Sequence, residues 1–419
     1  MLLDMTIIDL KYGKSHFEVD IPDGNLAGIL LPNEMSGVKD EQAEIKRALD
    51  NPIGSSRLRE KLRKGMKVAV IISDVTRPCP SYKFLPVLLD EINAGGVSDK
   101  DITVVVAIGS HRHTSEDEKK ALLGVSYGRV RCIDDNPDDC KCIGTSSFGH
   151  KINIFREVVD SDFIVCTGNT EYHYFAGYSG GVKAVLPGCA SYGTIEVNHA
   201  MMVSQKAETG RLDSPIRQEI DEVPGMMKNI GFLLDVVLNS KKEIVSAVAG
   251  DVLKAHREGV KLVDRMYSVK VPKADIVITS AGGYPKDINM YQAQKAMDNC
   301  KHAVREGGTM ILVAQCQECL GNDVFACWVD EATTIEAQAR RMDEHFELGG
   351  HKASVIAKTA MKCDIYLVSE IPEEKVGKMF LKPAKSPQEA LDAALVRYGP
   401  NAKVLVSPFG GMVLPKPME

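Results

Sequence analysis

Residues 67–74 read KVAVIISD. The apolar run between the two charges is short, almost entirely β-branched, and does not alternate with polar residues. A strand of this kind has both faces covered, which is the mark of a strand inside a parallel sheet. Two more runs of the same type follow, ITVVVAIGS (102–110) and DFIVCTGN (162–169). Between the first two, YKFLPVLLDEINAGG reads as a helix stopped by glycine. After the second, SEDEKKALLG opens a helix with Ser115 as its N-cap. Strand, loop and helix repeated in this order define an α/β domain.

Working outward, the alternation in MTIIDLKYG and HFEVDIP suggests two initial strands, and a helix is expected around Glu41 to Asp50. Downstream, the helix DVLKAHREGVKLVDRM stops near residues 267–273, where Pro272 appears. The pattern then restarts with ADIVITSAGG (274–283), GTMILVAQ (308–315), CDIYLVSE (363–370) and AKVLVSP (402–408), with helical stretches between them. The expectation is two α/β domains with mostly parallel sheets and an active-site cleft between them. Residues 1–270 would form the catalytic and cofactor-binding domain. Residues 271–419 would form a smaller domain that closes the cleft, with the extreme C-terminus packing back on the first.

The chain has 419 residues, 44% hydrophobic and 26% charged, with a formal net charge of -6. That is enough apolar material for large cores, and no basic excess points to nucleic acid or an anionic membrane. The eleven cysteines are odd in number and scattered, several inside apolar runs, as in a reducing cytoplasm. Neither Cys140/Cys142 nor Cys316/Cys319 has a second pair at zinc spacing, so no metal or redox role is assigned to them. No signal peptide and no membrane-length apolar stretch is read, and a cytoplasmic location is expected.

Polar loops after parallel strands are where open α/β sheets bind ligands. Four such loops are unusual. SDVTRPCPSYK (73–83) sets Asp74 and Arg77 three apart. The arginine suits a carboxylate or phosphate, and Asp74 suits a sugar hydroxyl or Arg77 itself; the plain alternative is a surface ion pair. AIGSHRHTSED (107–117) puts His111, Arg112 and His113 at a strand end, where an imidazole is the natural proton carrier. GNTEYHYFAGYSGGVKAVLPG combines His173, the turn Tyr178-Ser179-Gly180-Gly181 and Lys183, with His199 closing the stretch. The turn could form an anion nest, Lys183 a phosphate clamp or nucleophile, and His199 a base or metal ligand. Neither GxxxxGK[ST] nor GxGxxG is present. Finally, GGYPKDINMYQAQKAMDN (282–299) places Tyr291 and Lys295 on one helix face with Gln292 beside them, which would otherwise be a solvated face.

DVTRP, GSHRHT, HYFAGYSGGVKAVLPG with TIEVNH, and GGYPKDINMYQAQK together resemble the nickel-dependent lactate racemase family, from about residue 10 to the C-terminus. The resemblance implies a nickel pincer nucleotide. This is a pyridinium-3-thioamide-5-thiocarboxylic acid mononucleotide with Ni(II) bonded to a ring carbon and both sulfurs. It implies Lys183 as the covalent tether and His199 as the protein ligand completing a planar site, which suits Ni(II). His111 and His173 would be the acid/base pair, one taking the 2-hydroxyl proton as hydride leaves C2 and the other returning a proton on the opposite face. Arg77 and Lys295 would hold the substrate carboxylate and developing charge, with Tyr291 and Gln292 lining the pocket. Asp74, Arg77 and the backbone of Tyr178, Ser179, Gly180 and Gly181 would hold the nucleotide. His111 is preferred to its neighbour His113 on motif position alone. Trp328, Phe346 and His351 are candidates for a pocket aromatic.

Lactate is the default substrate, and another 2-hydroxy acid (malate-like, longer aliphatic or aromatic) is the alternative. The implied partners are that small molecule and the proteins that make the cofactor and insert nickel. An NAD-type dehydrogenase is disfavoured by the missing GxGxxG. A non-catalytic nucleotide carrier would leave His111 and His173 idle.

Overall fold

The structure is a computed structural model describing residues 4–347 and 349–418. It divides into two compact units, one of Glu34–Met266 and one of Tyr267–Glu419 together with Met1–Asn33. Both are α/β with mostly parallel sheets. The units divide after Met266. The opening residues, read from sequence as part of the first domain, group instead with the C-terminal unit.

In the Glu34–Met266 unit, six strands run in the order Ile244–Gly250, Ile230–Leu238, Phe163–Asn169, Val68–Ser73, Ile102–Ala107 and Arg131–Asp134. All neighbours are parallel except the Ile230–Leu238/Ile244–Gly250 pair. These last two strands were not assigned from sequence. The run FLLDVVL that forms the first of them carries an aspartate at its centre, and charge in an apolar run reads as a break. Every residue of Phe163–Asn169 is buried, which explains why its sequence does not alternate. Val68, Val70 and Ile72 share one core with Phe84, Leu88 and Ile92 of the helix Ser81–Ala94. Each such side chain stabilises the fold by about 1.5–3 kcal/mol. Ser115 caps the helix Glu116–Leu123 as expected, accepting from the Glu118 amide while Glu118 returns a bond to the Ser115 amide.

The order of strands matters for function. The chain steps outward from Val68–Ser73 to Ile102–Ala107 and Arg131–Asp134, then returns to Phe163–Asn169 on the opposite side of Val68–Ser73. The direction of winding therefore reverses between Val68–Ser73 and Phe163–Asn169, the point where doubly wound sheets bind ligands at their carboxyl ends.

The other unit has an all-parallel sheet in the order Lys382–Ala384, Asp364–Val368, Val304–Val313, Ala274–Ser280, Val404–Ser407 and Leu26–Ile29. Leu26–Ile29 forms its edge, which is why the opening residues belong here. The hairpin Met5–Tyr12/Ser15–Pro22 places Ile8, Leu10, Val19 and Ile21 in the same core as Ile276 and Ile278. Leu414–Pro417 pairs with Ser268–Val271. No helix among the described residues is long and apolar enough to cross a membrane.

Candidate active site

The loops after the two strands at the reversal point, and after their neighbour Ile102–Ala107, carry Asp74 and Arg77, His173, and His111. Residues that are far apart in sequence meet there because parallel strands end side by side.

His111 is oriented by Asp74. Its Nδ1 lies 2.6 Å from Asp74 Oδ2. Thr76 also donates to that carboxylate, through its hydroxyl at 2.7 Å and its amide at 3.2 Å. Burial pushes the Asp74 carboxyl up, but the bonds from His111 and Thr76 and the charge of Arg77 outweigh it and hold the group below the usual range. An ionised carboxylate only accepts, so His111 carries a proton on Nδ1 and, in the neutral ring, its Nε2 is bare. Asp74 was expected to hold a sugar hydroxyl or Arg77; its close partner here is the histidine. His113 is 75% exposed beside Asp134, and Arg112 pairs with Glu118. Beneath the loop, buried Asp135 accepts from the Ile108 amide at 2.6 Å, and burial raises its carboxyl to about 7.

His173 has the opposite tautomer. The Ala176 amide donates to its Nδ1 at 3.3 Å, so the neutral ring carries its proton on Nε2. That atom lies 3.3 Å from Lys183 Nζ. The pair is consistent only if Nε2–H donates to an unprotonated amine. Burial, then the guanidinium charges of Arg77 and Arg217, bring Lys183 well below the usual lysine range. Burial, with the Arg77 guanidinium adding to it, does the same to His173.

Phe175 stands edge-on between two imidazoles, its ring 4.6 Å from His173 and 4.9 Å from His199. His199 ends the helix Tyr192–Ala200, whose N-cap Ser191 accepts from the Thr194 amide. The helix is anchored by Asn198, which donates to Glu219 at 2.8 Å; Glu219 also receives Ser146 and His150. Burial brings His199 down to about 3, so it stays neutral with one ring nitrogen bare, as a metal ligand must. Its buried Nδ1 makes no hydrogen bond of ordinary geometry, and the Ile195 backbone favours the protonated ring. No group of three or more His, Cys, Asp or Glu among the described residues could hold a metal ion.

The Tyr178–Gly181 turn is committed to the fold. Gly181 donates its amide to Asp235 at 2.8 Å, and Thr170 donates to the same oxygen at 2.9 Å. Arg217, fully buried, donates to the Tyr178 carbonyl. His256 lies 2.8 Å from the Ser179 carbonyl. The Ser179 hydroxyl donates to the Asn169 carbonyl, and that of Tyr178 to Asp264. The groups expected to cradle a nucleotide are thus largely engaged within the protein. A Cβ on Gly180, whose φ is +73, would lie 2.3 Å from Asp235 Oδ2, so packing alone demands glycine. The clamp residues Asp235, Arg217 and His256 were missed. Their only trace in the sequence is polarity inside apolar surroundings, as in FLLDVVL.

Tyr291, Gln292 and Lys295 lie in the other unit, on the helix Met290–Cys300 capped by Asn289. Lys295 donates to Gln292 at 2.8 Å. Buried Lys352 donates to Gln294 at 2.8 Å and sits 5.1 Å from the Tyr291 ring centre. Burial, then the Lys295 charge, lowers Lys352 to about 7. Of the three aromatic candidates, Trp328 is core and donates to Glu347. His351 lies 6.4 Å from Tyr291 and 6.1 Å from Phe346, ring centre to ring centre.

Residues 12–210 match the family model for the lactate racemase N-terminal domain, and residues 269–414 that for the C-terminal domain. The chain belongs to the lactate racemase family. It is an enzyme of the isomerase class. The lactate racemase of Thermoanaerobacterium thermosaccharolyticum is 36% identical over 98% of this chain and 99% of its own. That of Lactiplantibacillus plantarum is 33% identical over 98% and 100%. The lactate racemase apoprotein structure from T. thermosaccharolyticum superimposes with a TM-score of 0.87 at 34% identity, covering 98% of this chain and all of that one. A Thermotoga maritima protein structure shares the fold at a TM-score of 0.59 and 19% identity, over 92% of this chain and all of its own.

Proposed function

We propose that this protein racemises a 2-hydroxy acid, with lactate as the substrate its relatives' names favour. The observation that carries the reading is the pair of histidines in opposite tautomers. His111, held through Nδ1 by Asp74, presents a bare Nε2 that accepts a proton. His173, held through Nδ1 by a backbone amide, presents Nε2–H. Inverting a carbon centre through a planar intermediate needs one group to take the hydroxyl proton and another to return it, and the roles exchange with the enantiomer. Arg77 supplies a planar fork for the substrate carboxylate, and Lys295 a second cation. Phe175 packs against His173 and would limit water around the reacting groups.

The site residues fit the nickel nucleotide. An unprotonated Lys183 amine suits the tether, and a buried, neutral His199 with one bare ring nitrogen suits a single protein ligand to nickel. When bound, the group supplies a reversible hydride acceptor. The Tyr178–Gly181 turn also supports Lys183, whose amide donates to the Gly180 carbonyl.

The test uses cofactor-loaded protein and one lactate enantiomer, followed by circular dichroism without added NAD. The optical signal should decay to zero with no net pyruvate, and intact mass should show an adduct on Lys183. His111→Ala and His173→Ala should each slow the decay by about a hundredfold or more. Accumulating pyruvate would exclude a racemase, and full activity in both variants would exclude this acid/base pair.

A further inference from the structure

Lys183 has a chemistry open to it before anything is tethered there. Its amine receives the Nε2–H of His173, since the Ala176 amide occupies that ring's other nitrogen. The nitrogen lone pair and a proton donor therefore stand together, which is what addition to a carbonyl requires. Arg77 is exposed on the loop that follows Val68–Ser73, the strand against which the Gly181–Ala184 turn carrying Lys183 packs. A ketone beside a carboxylate matches this set: the carboxylate takes the guanidinium fork and the adjacent carbon meets the amine. We propose that the cofactor-free chain captures a 2-keto acid, the oxidised form of its substrate class, as a Schiff base on Lys183, with Arg77 holding the carboxylate and His173 moving the protons. This rests on the reading of Arg77 as the carboxylate anchor.

The step balances without an oxidant or reductant. The Lys183 lone pair forms the N–C2 bond as the carbonyl π bond breaks, and the oxygen takes the His173 Nε2 proton. The nitrogen then loses a proton to His173, restoring its Nε2–H; the carbinolamine hydroxyl takes that proton and leaves as water, while the second nitrogen proton passes to His173 as C=N forms. Amine and keto acid give imine and water. A lysine occupied in this way cannot accept another acyl group, so keto acid and cofactor would compete for one nitrogen.

The experiment uses the full-length chain made without cofactor-making partners, its free Lys183 confirmed by intact mass. It is incubated with pyruvate, reduced with sodium borohydride, digested and sequenced by mass spectrometry. A carboxyethyl group is expected on Lys183 at about tenfold or more above exposed Lys64 and Lys100. Arg77→Gln, an exposed loop change, should leave the melting temperature unchanged and lower Lys183 labelling about tenfold or more. Lys183 unmodified, or labelled no more than Lys64 and Lys100, would overturn the proposal. So would undiminished labelling in Arg77→Gln. Racemisation is read on loaded protein, so its failure would be seen separately.

Discussion

Asp74 stands at a strand end with Arg77 three residues on and His111 arriving from the next strand. Its hydrogen bond goes to the histidine, and that choice fixes which nitrogen of His111 is basic. Asp74→Asn would present an amide donor to Nδ1 and invert the tautomer. We expect kcat to fall on the order of a hundredfold or more in both directions with KM little changed; a rise in KM alone would assign Asp74 to binding instead. Asp135 gives a pH signature. Its folded value, about 7, lies above the ordinary carboxyl value of 3.8. The folded chain therefore holds a proton that the unfolded chain has lost. This stabilisation is complete below about pH 3.8 and is lost as pH rises through 7. Asp135→Asn keeps the acceptor oxygen without the titration. Its melting temperature relative to the parent should be higher at pH 8 than at pH 5, and an equal difference at both would show that Asp135 does not titrate there.

At the scale of elements, the strand–loop–helix rhythm was legible, because fully buried strands leave uninterrupted β-branched runs and helix caps leave Ser or Asn before them. The two strands after residue 230 were not legible. Asp235 interrupts the first, and its reason for being there, the Gly181 amide and Thr170 hydroxyl, lies tens of residues away. Gly180 shows the same dependence from the other side. In Gly180→Ala the methyl would meet the Asp235 carboxylate and the Thr170 hydroxyl, and φ is in the left-handed region. We expect a loss of about 1–3 kcal/mol, seen as a lower melting temperature. The turn should also move enough to slow borohydride-trapped labelling of Lys183. A variant as stable as the parent would remove Asp235 from the turn's support.

At the scale of the molecule, Lys295 is proposed as a second cation for the substrate. Lys295→Met removes a charge without shortening the side chain greatly. On the proposed reading it raises KM for lactate by about tenfold to a hundredfold, the equivalent of one charge-assisted bond. An unchanged KM would place Lys295 outside substrate binding.

The sequence by itself determined the α/β class, the strands that end in functional loops, and the residues of the family's motifs. These are properties of local pattern: buried strands, caps and short loops are written in consecutive residues. Only the tertiary structure decided that Asp74 serves His111, that His111 and His173 carry their protons on opposite nitrogens, and that the glycine turn is clamped by Asp235, Arg217 and His256. It also decided that Leu26–Ile29 forms the edge of a sheet more than two hundred residues away. Hydrogen-bond partners and buried charges are chosen by which strand ends lie side by side, and no single stretch of chain contains that information.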